Sequence, residues 1–234
     1  MNKNSATIAV IPARGGSKGV KRKNMQKIGG ISLLGRAIVC SLNSGEIDYV
    51  LVTTDDTEIQ KEAFRYGAEA PFLRPAHLSD DFATTEDAVH HAVMEFEEHK
   101  KRKMSIIAVI EPPNPFRRSE KIREAIQFYK TGKYKSVVSV CSLKKKPENI
   151  FIKGEFLSRL IRTENIRFRR RQEMEHLCRI SGVVYVVGRD DFMNSRKIIS
   201  DPIGYVNSSE IEAMNIDDEF DLELARMVSK KYNV

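Results

Sequence analysis

Several features that would place this chain in other classes of protein are missing from its sequence. No run reaches the ~18–20 apolar residues that a membrane-spanning helix requires, and the first four residues lack the charged-then-apolar layout of a secretory signal. The three cysteines, Cys40, Cys141 and Cys178, are odd in number and widely separated, without a CxxC or Cys/His pairing. We therefore expect a cytoplasmic protein with no membrane segment, no disulfide framework and no zinc site.

The chain is basic, but it has no signature of a nucleic-acid-binding protein. Lys and Arg number 39 against 32 Asp and Glu, which gives a net charge of +7. The positive residues fall into separate clusters, and no RNP, zinc-finger or helix-turn-helix pattern accompanies them. A small anionic substrate explains the excess at least as well as nucleic acid. A nucleotide- or nucleic-acid-binding protein without turnover stays open as the alternative from a different class.

Length and composition indicate an ordinary globular domain. The chain has 234 residues, of which 41% are hydrophobic and 30% charged, enough for one well-buried domain. Apolar, β-branched runs predict strands at 7–12, 49–54, 69–73, 105–110, 135–141 and 183–187. Helical periodicity predicts helices at 32–43, 57–66, 84–99, 119–129, 190–195 and about 219–231, with Ser32 and Ser119 as caps. This alternation predicts an α/β fold with a mainly parallel sheet, whose ligands gather at the carboxyl ends of the strands.

A section in the middle of the chain breaks this alternation. Residues 150–157 are typical of a hairpin about Lys153 and Gly154, and residues 159–172 contain six arginines in fourteen positions. We interpret residues 144–180 as a small dimerisation arm inserted into a single domain that spans 1–234.

The first predicted strand runs into a loop that suits a polyanion. Residues 7–12 are followed by the sequence ARGGSKGVKRKN. Its glycines expose backbone amides, and Arg14, Lys18 and Lys23 can neutralise phosphate charge. The loop fits neither a Walker A pattern nor GxGxxG. The residues favour a triphosphate-binding loop over a solvated basic loop.

The sequence IPARGGSKGVKRKN closely resembles the signature of the cytidylyltransferases that activate sialic acids and related nonulosonic acids. The resemblance continues through Thr53-Thr54-Asp55, Arg74-Pro75, the turn EPPNPFR, Arg171-Gln172, residues 182–185 and Ile216-Asp217. It implies a Rossmann-like three-layer nucleotidyltransferase domain in a homodimer. The implied reaction joins CMP from CTP to an acidic nine-carbon sugar, such as sialic or legionaminic acid, with release of pyrophosphate.

The same resemblance implies roles for individual residues. Those expected on the nucleotide side are Arg14, Gly15, Gly16, Ser17, Lys18, Lys23, Asn24, Arg74, Ala83 and Thr85. Those expected on the sugar side are Glu111, Arg171, Gln172, Ser181 and Tyr185. Asp217, with Asn215, is expected to bind Mg²⁺, and the catalytic set is Arg14, Lys18, Lys23 and Asp217.

The chain departs from the family pattern at three of these positions. The usual Asp-x-Asp reads Asn215-Ile216-Asp217, and the usual Gln and Asn of the sugar side are Glu111 and Ser181. A carboxylate at Glu111 repels an anionic sugar unless it is protonated, paired to an arginine or bound to an amino group. The acceptor therefore stays open to an amino-bearing nonulosonic acid or 3-deoxy-manno-octulosonic acid, and another nucleotide is a further alternative.

Several of these residues also have a purely structural explanation. Arg74 before a proline is typical of a surface turn, Thr85 suits a helix N-cap, and Tyr185 suits a core strand. Residues 217–221 could serve only to cap the last helix. His90 and His91 are adjacent on a helix, where side chains point apart, which fits a helix surface better than a metal pair.

Overall fold

The computed structural model describes residues 6–143, 150–153, 157–159 and 177–232. Its centre is a six-stranded sheet in the order β10-β6-β9-β5-β1-β4. The strands are β1 (Thr7–Pro12), β4 (Tyr49–Thr53), β5 (Ile106–Val109), β6 (Ser136–Ser142), β9 (Cys178–Gly188) and β10 (Ile203–Asn207). Short antiparallel pairs are formed by β2 (Lys27–Ile28) with β3 (Ile31–Ser32), and by β7 (Phe151–Lys153) with β8 (Leu157–Arg159).

The sheet is mainly parallel, as predicted. β1 pairs in parallel with both β4 and β5, and β6 pairs in parallel with β10. β9 is antiparallel to its neighbours β5 and β6, so the other five strands share one direction. Their carboxyl ends therefore meet at one edge of the sheet.

Helices cover both faces of this sheet. They are α1 (Leu33–Leu42), α2 (Thr57–Arg65), α3 (Thr85–Lys100), α4 (Ser119–Tyr129), α5 (Arg189–Ser195) and α6 (Glu219–Tyr232). None of the helices in the described ranges is long and apolar enough to cross a membrane.

The alternation of side chains along β1 explains the three layers. Ala9 and Ile11 belong to the core formed with α1, α2 and α4, whereas Ile8 and Val10 belong to the core formed with α3 and α5. A strand buried on both faces in this way is a continuous apolar run, which is the pattern that residues 7–12 show. The predicted α/β class is confirmed.

A third, smaller core joins the two ends of the chain. Val20 and Ile28, which follow β1, pack with Ile216, Leu222 and residues around them. The four named side chains are at most 1% exposed. Helix α6 and the segment before it are therefore packed against the loop that follows β1.

The structure corrects three local predictions. Residues 69–73 do not form a strand: Glu69 makes a single bridge to Leu51, and Pro71 has no N–H to extend a ladder. Ser119 does not cap α4, because it is the first helical residue and the N-cap is Arg118, without a side-chain bond. β9 is eleven residues long, well beyond the predicted 183–187.

Other local predictions are confirmed. Ser32 caps α1 by accepting a hydrogen bond from the Gly35 amide at 3.0 Å. The hairpin predicted at 150–157 is present as β7 and β8, and its turn lies outside the described residues. Most of the predicted dimerisation arm, at 144–149 and 160–176, also lies outside them, and the arm stays a prediction.

Candidate active site

A cavity of about 450 Å³ lies where β1 and β5 end. Its lining includes eight of the ten residues expected on the nucleotide side, together with Glu111, Asn215 and Asp217. The eight are Arg14, Ser17, Lys18, Lys23, Asn24, Arg74, Ala83 and Thr85. Gly15 and Gly16 belong to the same loop but are not among the lining residues. One cavity thus brings together residues that are about 200 positions apart in the sequence.

The loop after β1 is held in shape by polar contacts to its neighbours. The Gly15 amide donates to the Asp55 carboxylate at 2.9 Å, and the Asn24 side-chain amide donates to the Arg14 carbonyl at 3.0 Å. Asn24 is 6% exposed, so this bond closes the loop from inside. Hydrogen bonds at both ends give the loop a defined conformation before any ligand is present.

The loop also contacts the segment that precedes α6. The Lys23 ammonium donates to the Ile216 carbonyl at 2.8 Å and lies 3.3 Å from the Asp217 carboxylate. Gly19 allows the approach, because a Cβ atom there would lie 2.0 Å from the Asp217 carbonyl oxygen. Lys23 is therefore a positioned cation beside a positioned carboxylate.

Two cations of the loop are paired with an acid in the turn before α3. The Lys18 ammonium lies 2.6 Å from the Asp81 carboxylate, and Arg14 Nη1 lies 3.3 Å from it. Arg14 also donates to the Asp80 carbonyl at 2.9 Å. The hydrogen bond from Lys18 is the main reason that the pKa of Asp81 is lowered. In this structure the Asp81 carboxylate pairs with the two cations that are expected to bind phosphate.

Nothing in the sequence signals this pairing. Asp80 and Asp81 both line the cavity, as do Ser79 and Thr84, and none of these four was among the predicted site residues. Which acid meets Lys18 depends on how the turn folds back over the end of β1, and a single sequence carries no information on that.

Arg74 is a buried residue of the cavity and not a surface turn residue. It is 6% exposed, its amide donates to the Thr54 carbonyl at 2.7 Å, and its Nε donates to Ser79 at 2.9 Å. Burial lowers the pKa of Arg74, and Asp55 opposes this shift. The explanation of Thr85 as an N-cap is wrong, because Thr84 caps α3 in a capping box with Asp87.

Asn215 and Asp217 lie beside Lys23 at the cavity, as a metal site next to a triphosphate would require. The Asn215 amide donates to Asp217 at 2.6 Å. Within the described residues, no group of three His, Cys, Asp or Glu side chains could bind a metal ion. Mg²⁺ commonly takes one or two carboxylates, with waters and substrate phosphates as its other ligands. The donor set fits Mg²⁺ if waters and substrate phosphates supply the remaining ligands, with Asp217 as the charged ligand from the protein.

The residues expected on the sugar side are only partly brought together. Glu111 lines the cavity with Pro112 and Pro113. Ser181 is 3% exposed and accepts a hydrogen bond from Ser208 at 2.8 Å, and it is not among the lining residues. Arg171 and Gln172 lie outside the described residues.

Tyr185 and Glu111 share an environment of low polarity. Burial raises the pKa of Tyr185 to about 12, with the Glu111 charge as a further cause. Burial also raises the pKa of Glu111, whereas the Arg117 cation lowers it by a smaller amount. Among the three ways to accommodate Glu111, burial acts toward the protonated form, and the charge of Arg117 acts against it.

The raised pKa of Glu111 predicts a pH-dependent stability. The folded state binds this proton more tightly than the unfolded state, so stability falls as the pH rises from the unfolded pKa through the folded one. Glu111→Gln should therefore raise the melting temperature at pH 7.5 and change it little at pH 4. Glu95→Gln, at an exposed position of α3, is the control in the same thermal scans. An equal effect of Glu111→Gln at both pH values would contradict the account.

Because Gly19 lies so close to the Asp217 carbonyl, adding a single methyl group at position 19 should push the two segments apart. Gly19→Ala should lower the free energy of unfolding by about 1–3 kcal/mol, since the new Cβ meets backbone that cannot rotate away. Gly16→Ala is the matched control, because a Cβ there has no neighbour within 4 Å. Urea unfolding of the two variants checks this. Equal midpoints would show that the close approach is not a constraint.

Comparison with known proteins places this geometry in a family. A family model described as cytidylyltransferase matches residues 8–190. The chain is 32% identical to a CMP-N,N'-diacetyllegionaminic acid synthase of Legionella pneumophila, over 93% of each chain. It is 30% identical to an N-acylneuraminate cytidylyltransferase of Escherichia coli, over 97% of this chain and 52% of that protein. It is 26% identical to post-translational flagellin modification protein B of Campylobacter coli, over 98% and 97%.

Solved structures agree on the fold. CMP:2-keto-3-deoxy-manno-octonic acid synthetase complexed with CTP superposes with a TM-score of 0.71, covering 97% of this chain and 100% of that one at 17% identity. A 4-diphosphocytidyl-2C-methyl-D-erythritol synthase from Anaerococcus prevotii gives a TM-score of 0.69 at 13% identity. The match of the family model to most of the chain, over a sheet whose end carries the cationic loop, shows that this chain belongs to the cytidylyltransferase family.

Proposed function

We propose that the protein transfers CMP from CTP to an acidic sugar of the nonulosonic type and releases pyrophosphate. The observation that carries this proposal is the loop after β1, in which Lys23 is positioned beside Asp217 at the wall of the cavity. The relatives support the same activity: two of them are named for CMP transfer to N-acylneuraminate and N,N'-diacetyllegionaminate. The acceptor is accordingly a sialic acid-like sugar.

The nucleotide is bound by charge and by backbone. Arg14 and Lys18 exchange the Asp81 carboxylate for phosphate oxygens. The Gly16 amide adds an uncharged donor from the same loop, whereas the Gly15 amide stays bonded to Asp55. Arg74 and Asn24, both buried at the cavity wall, lie with Ala83 and Thr85 on the side assigned to the ribose and cytosine. The triphosphate is thereby oriented with its α-phosphorus toward the opposite wall.

The chemical step is an in-line displacement at the α-phosphorus. The anomeric hydroxyl of the sugar loses its proton to water as its oxygen forms a bond to phosphorus. The bond from phosphorus to the bridging oxygen of the β-phosphate breaks, and pyrophosphate leaves. Lys23, Lys18 and Arg14 stabilise the negative charge that grows on the leaving group. Lys23 is suited to this because its bond to the Ile216 carbonyl fixes its ammonium before the reaction.

Mg²⁺ is the cofactor that the donor set accommodates. Asp217 would be its charged protein ligand, and the Asn215 oxygen a neutral one after the amide rotates by half a turn. When bound, the ion neutralises phosphate charge. Because Asn215 replaces an acid, we expect weaker metal binding than two carboxylates would give.

The acceptor lies on the side of Glu111. The Glu111 carboxyl group, whose pKa is raised, donates a hydrogen bond when protonated and accepts one from a hydroxyl, amino or amide group when ionised. Two relatives are named for nitrogen-bearing acceptors, N-acylneuraminate and N,N'-diacetyllegionaminate, which favours such acids over 3-deoxy-manno-octulosonic acid. The homodimer, the role of residues 144–180 as its arm and the cytoplasmic location remain proposals, and light scattering on the purified chain tests the first.

An acceptor panel tests the function directly. With CTP, Mg²⁺ and a set of nonulosonic acids, the purified protein should release pyrophosphate with at least one acceptor, and with CTP in preference to ATP, GTP and UTP. Coupled pyrophosphate detection measures this. Salt-dependent binding to DNA or RNA without pyrophosphate release would contradict the proposal and favour the binding protein that lacks turnover.

Lys23→Ala tests the role of the loop. Losing a positioned cation at the developing charge should lower kcat by about 10²–10³-fold, with the fold retained. Lys27→Ala, at an exposed position of β2 that does not line the cavity, should leave kcat within twofold. Wild-type turnover of Lys23→Ala would remove the loop from the mechanism.

A further inference from the structure

Arg117 is a buried arginine whose hydrogen bonds go to the backbone of two strands. It is 8% exposed. Its Nε donates to the Val183 carbonyl and its Nη2 donates to the Glu111 carbonyl, each at 2.5 Å. Its Nη1 is buried and has no hydrogen-bond partner among the described residues. The two hydrogen bonds of this guanidinium within the described part of the chain therefore go to main-chain carbonyls and not to a carboxylate.

The register of the sheet explains where these two carbonyls are. β5 and β9 are antiparallel, and their ladder ends with Val109 opposite Tyr185. If the register is continued by two residues beyond this pair, Glu111 comes opposite Val183. There the Arg117 guanidinium donates to both carbonyls, which in a continued ladder would accept hydrogen bonds from backbone N–H groups. Arg117 thus bridges the strands where they separate at the cavity edge.

The cavity wall beyond this point has few backbone bonds of its own. Glu111, Pro112 and Pro113 all line the cavity, and the two prolines have no N–H to donate. The Pro113 carbonyl accepts from the Ile216 amide at 3.0 Å. The next residue, Asn114, adds two side-chain hydrogen bonds to neighbouring carbonyls, each at 3.2 Å. The position of this wall therefore depends on these bonds together with the bond from Arg117.

A buried cation is an expensive way to join two strands. Burial lowers the pKa of Arg117, which reflects the cost of removing the charge from water, and apolar residues often replace buried charges without loss of stability. Planar geometry gives a specific advantage: a guanidinium can donate to two carbonyls at once in a defined orientation, whereas an ammonium is a single point donor.

We propose that Arg117 is a positioning residue for the acceptor side of the site: by bridging the Glu111 and Val183 carbonyls it sets where Glu111 and the prolines stand in the cavity. It does not line the cavity and acts through Glu111. The inference rests on the proposed function in that this wall faces the acceptor sugar. Arg117 makes none of the hydrogen bonds that hold the nucleotide loop, which involve Asp55, Asn24 and Ile216.

Kinetics separate this role from general loss of stability. Arg117→Lys should raise KM for the acceptor by about tenfold or more, the size expected for one lost hydrogen bond to a charged group, with KM for CTP within twofold. Arg117→Met, which keeps the volume but neither bond, should raise acceptor KM further. Arg189→Lys is the control: Arg189 is partly buried and bonds Glu97, but it follows the opposite end of β9. Arg189→Lys should lower the melting temperature without raising KM for the acceptor more than KM for CTP.

Hydrogen exchange makes the test independent of the acceptor. In Arg117→Lys without ligands, peptides covering 110–117 and 181–185 should exchange faster than in the wild type, whereas those covering 14–24 should not change. Unchanged exchange at 110–117, or a parallel rise of both KM values, would overturn the proposal. If the wild type turns over no acceptor, the proposed function fails and the exchange data alone decide the role of Arg117.

Discussion

The contact between the loop after β1 and the segment before α6 is the constraint on which the site depends. Lys23 and the Ile216 carbonyl, 193 residues apart in sequence, are joined at 2.8 Å, and Gly19 lets the two backbones meet. The third core, in which Val20 and Ile28 pack against Ile216 and Leu222, supports this contact from below. Apolar packing thereby places the Lys23 cation beside the Asp217 carboxylate at the cavity, where the Asp217 side chain stays 71% exposed.

The two walls of the cavity are built by different means. The nucleotide wall is a loop closed by hydrogen bonds to Asp55 and Asn24, with cations that an internal carboxylate, Asp81, already neutralises. The proposed acceptor wall is a proline-containing turn whose Glu111 carbonyl accepts a hydrogen bond from Arg117. In the proposed reaction a triphosphate replaces Asp81, so that binding exchanges one anion for another at Arg14 and Lys18.

Much of the fold could be predicted from the sequence, because its signals are local. Three local signals predicted elements that the structure contains. They are the apolar run at 7–12 for β1, the helical spacing after Ser32 for α1 and the acidic first turn for α6. The failures were also local. Pro71 prevents the strand that the neighbouring residues favour, and Ser119 lies one position too late to cap its helix. The antiparallel direction of β9 depends on the course of the chain before it, for which periodicity carries no information.

The site was predictable to the extent that a resemblance named its residues, and eight of ten nucleotide-side positions line one cavity. The pairing of Asp81 with Lys18 and the bridge made by Arg117 could not be predicted, because each joins segments whose proximity only the folded chain determines. The sequence identifies Glu111 as an acid expected beside an anionic sugar, but not the way in which its charge is accommodated. Burial, which only the structure shows, favours the protonated form.

The central claim is that the loop after β1 binds the β- and γ-phosphates of a nucleotide. Titration calorimetry of the wild-type protein with CTP and with CMP tests it most directly. Two charge-assisted hydrogen bonds at about 1.5–3 kcal/mol each predict that CTP binds at least about 100-fold more tightly than CMP. Equal affinities for CTP and CMP would contradict the account, because the loop would then make no contact with the phosphates that the reaction releases.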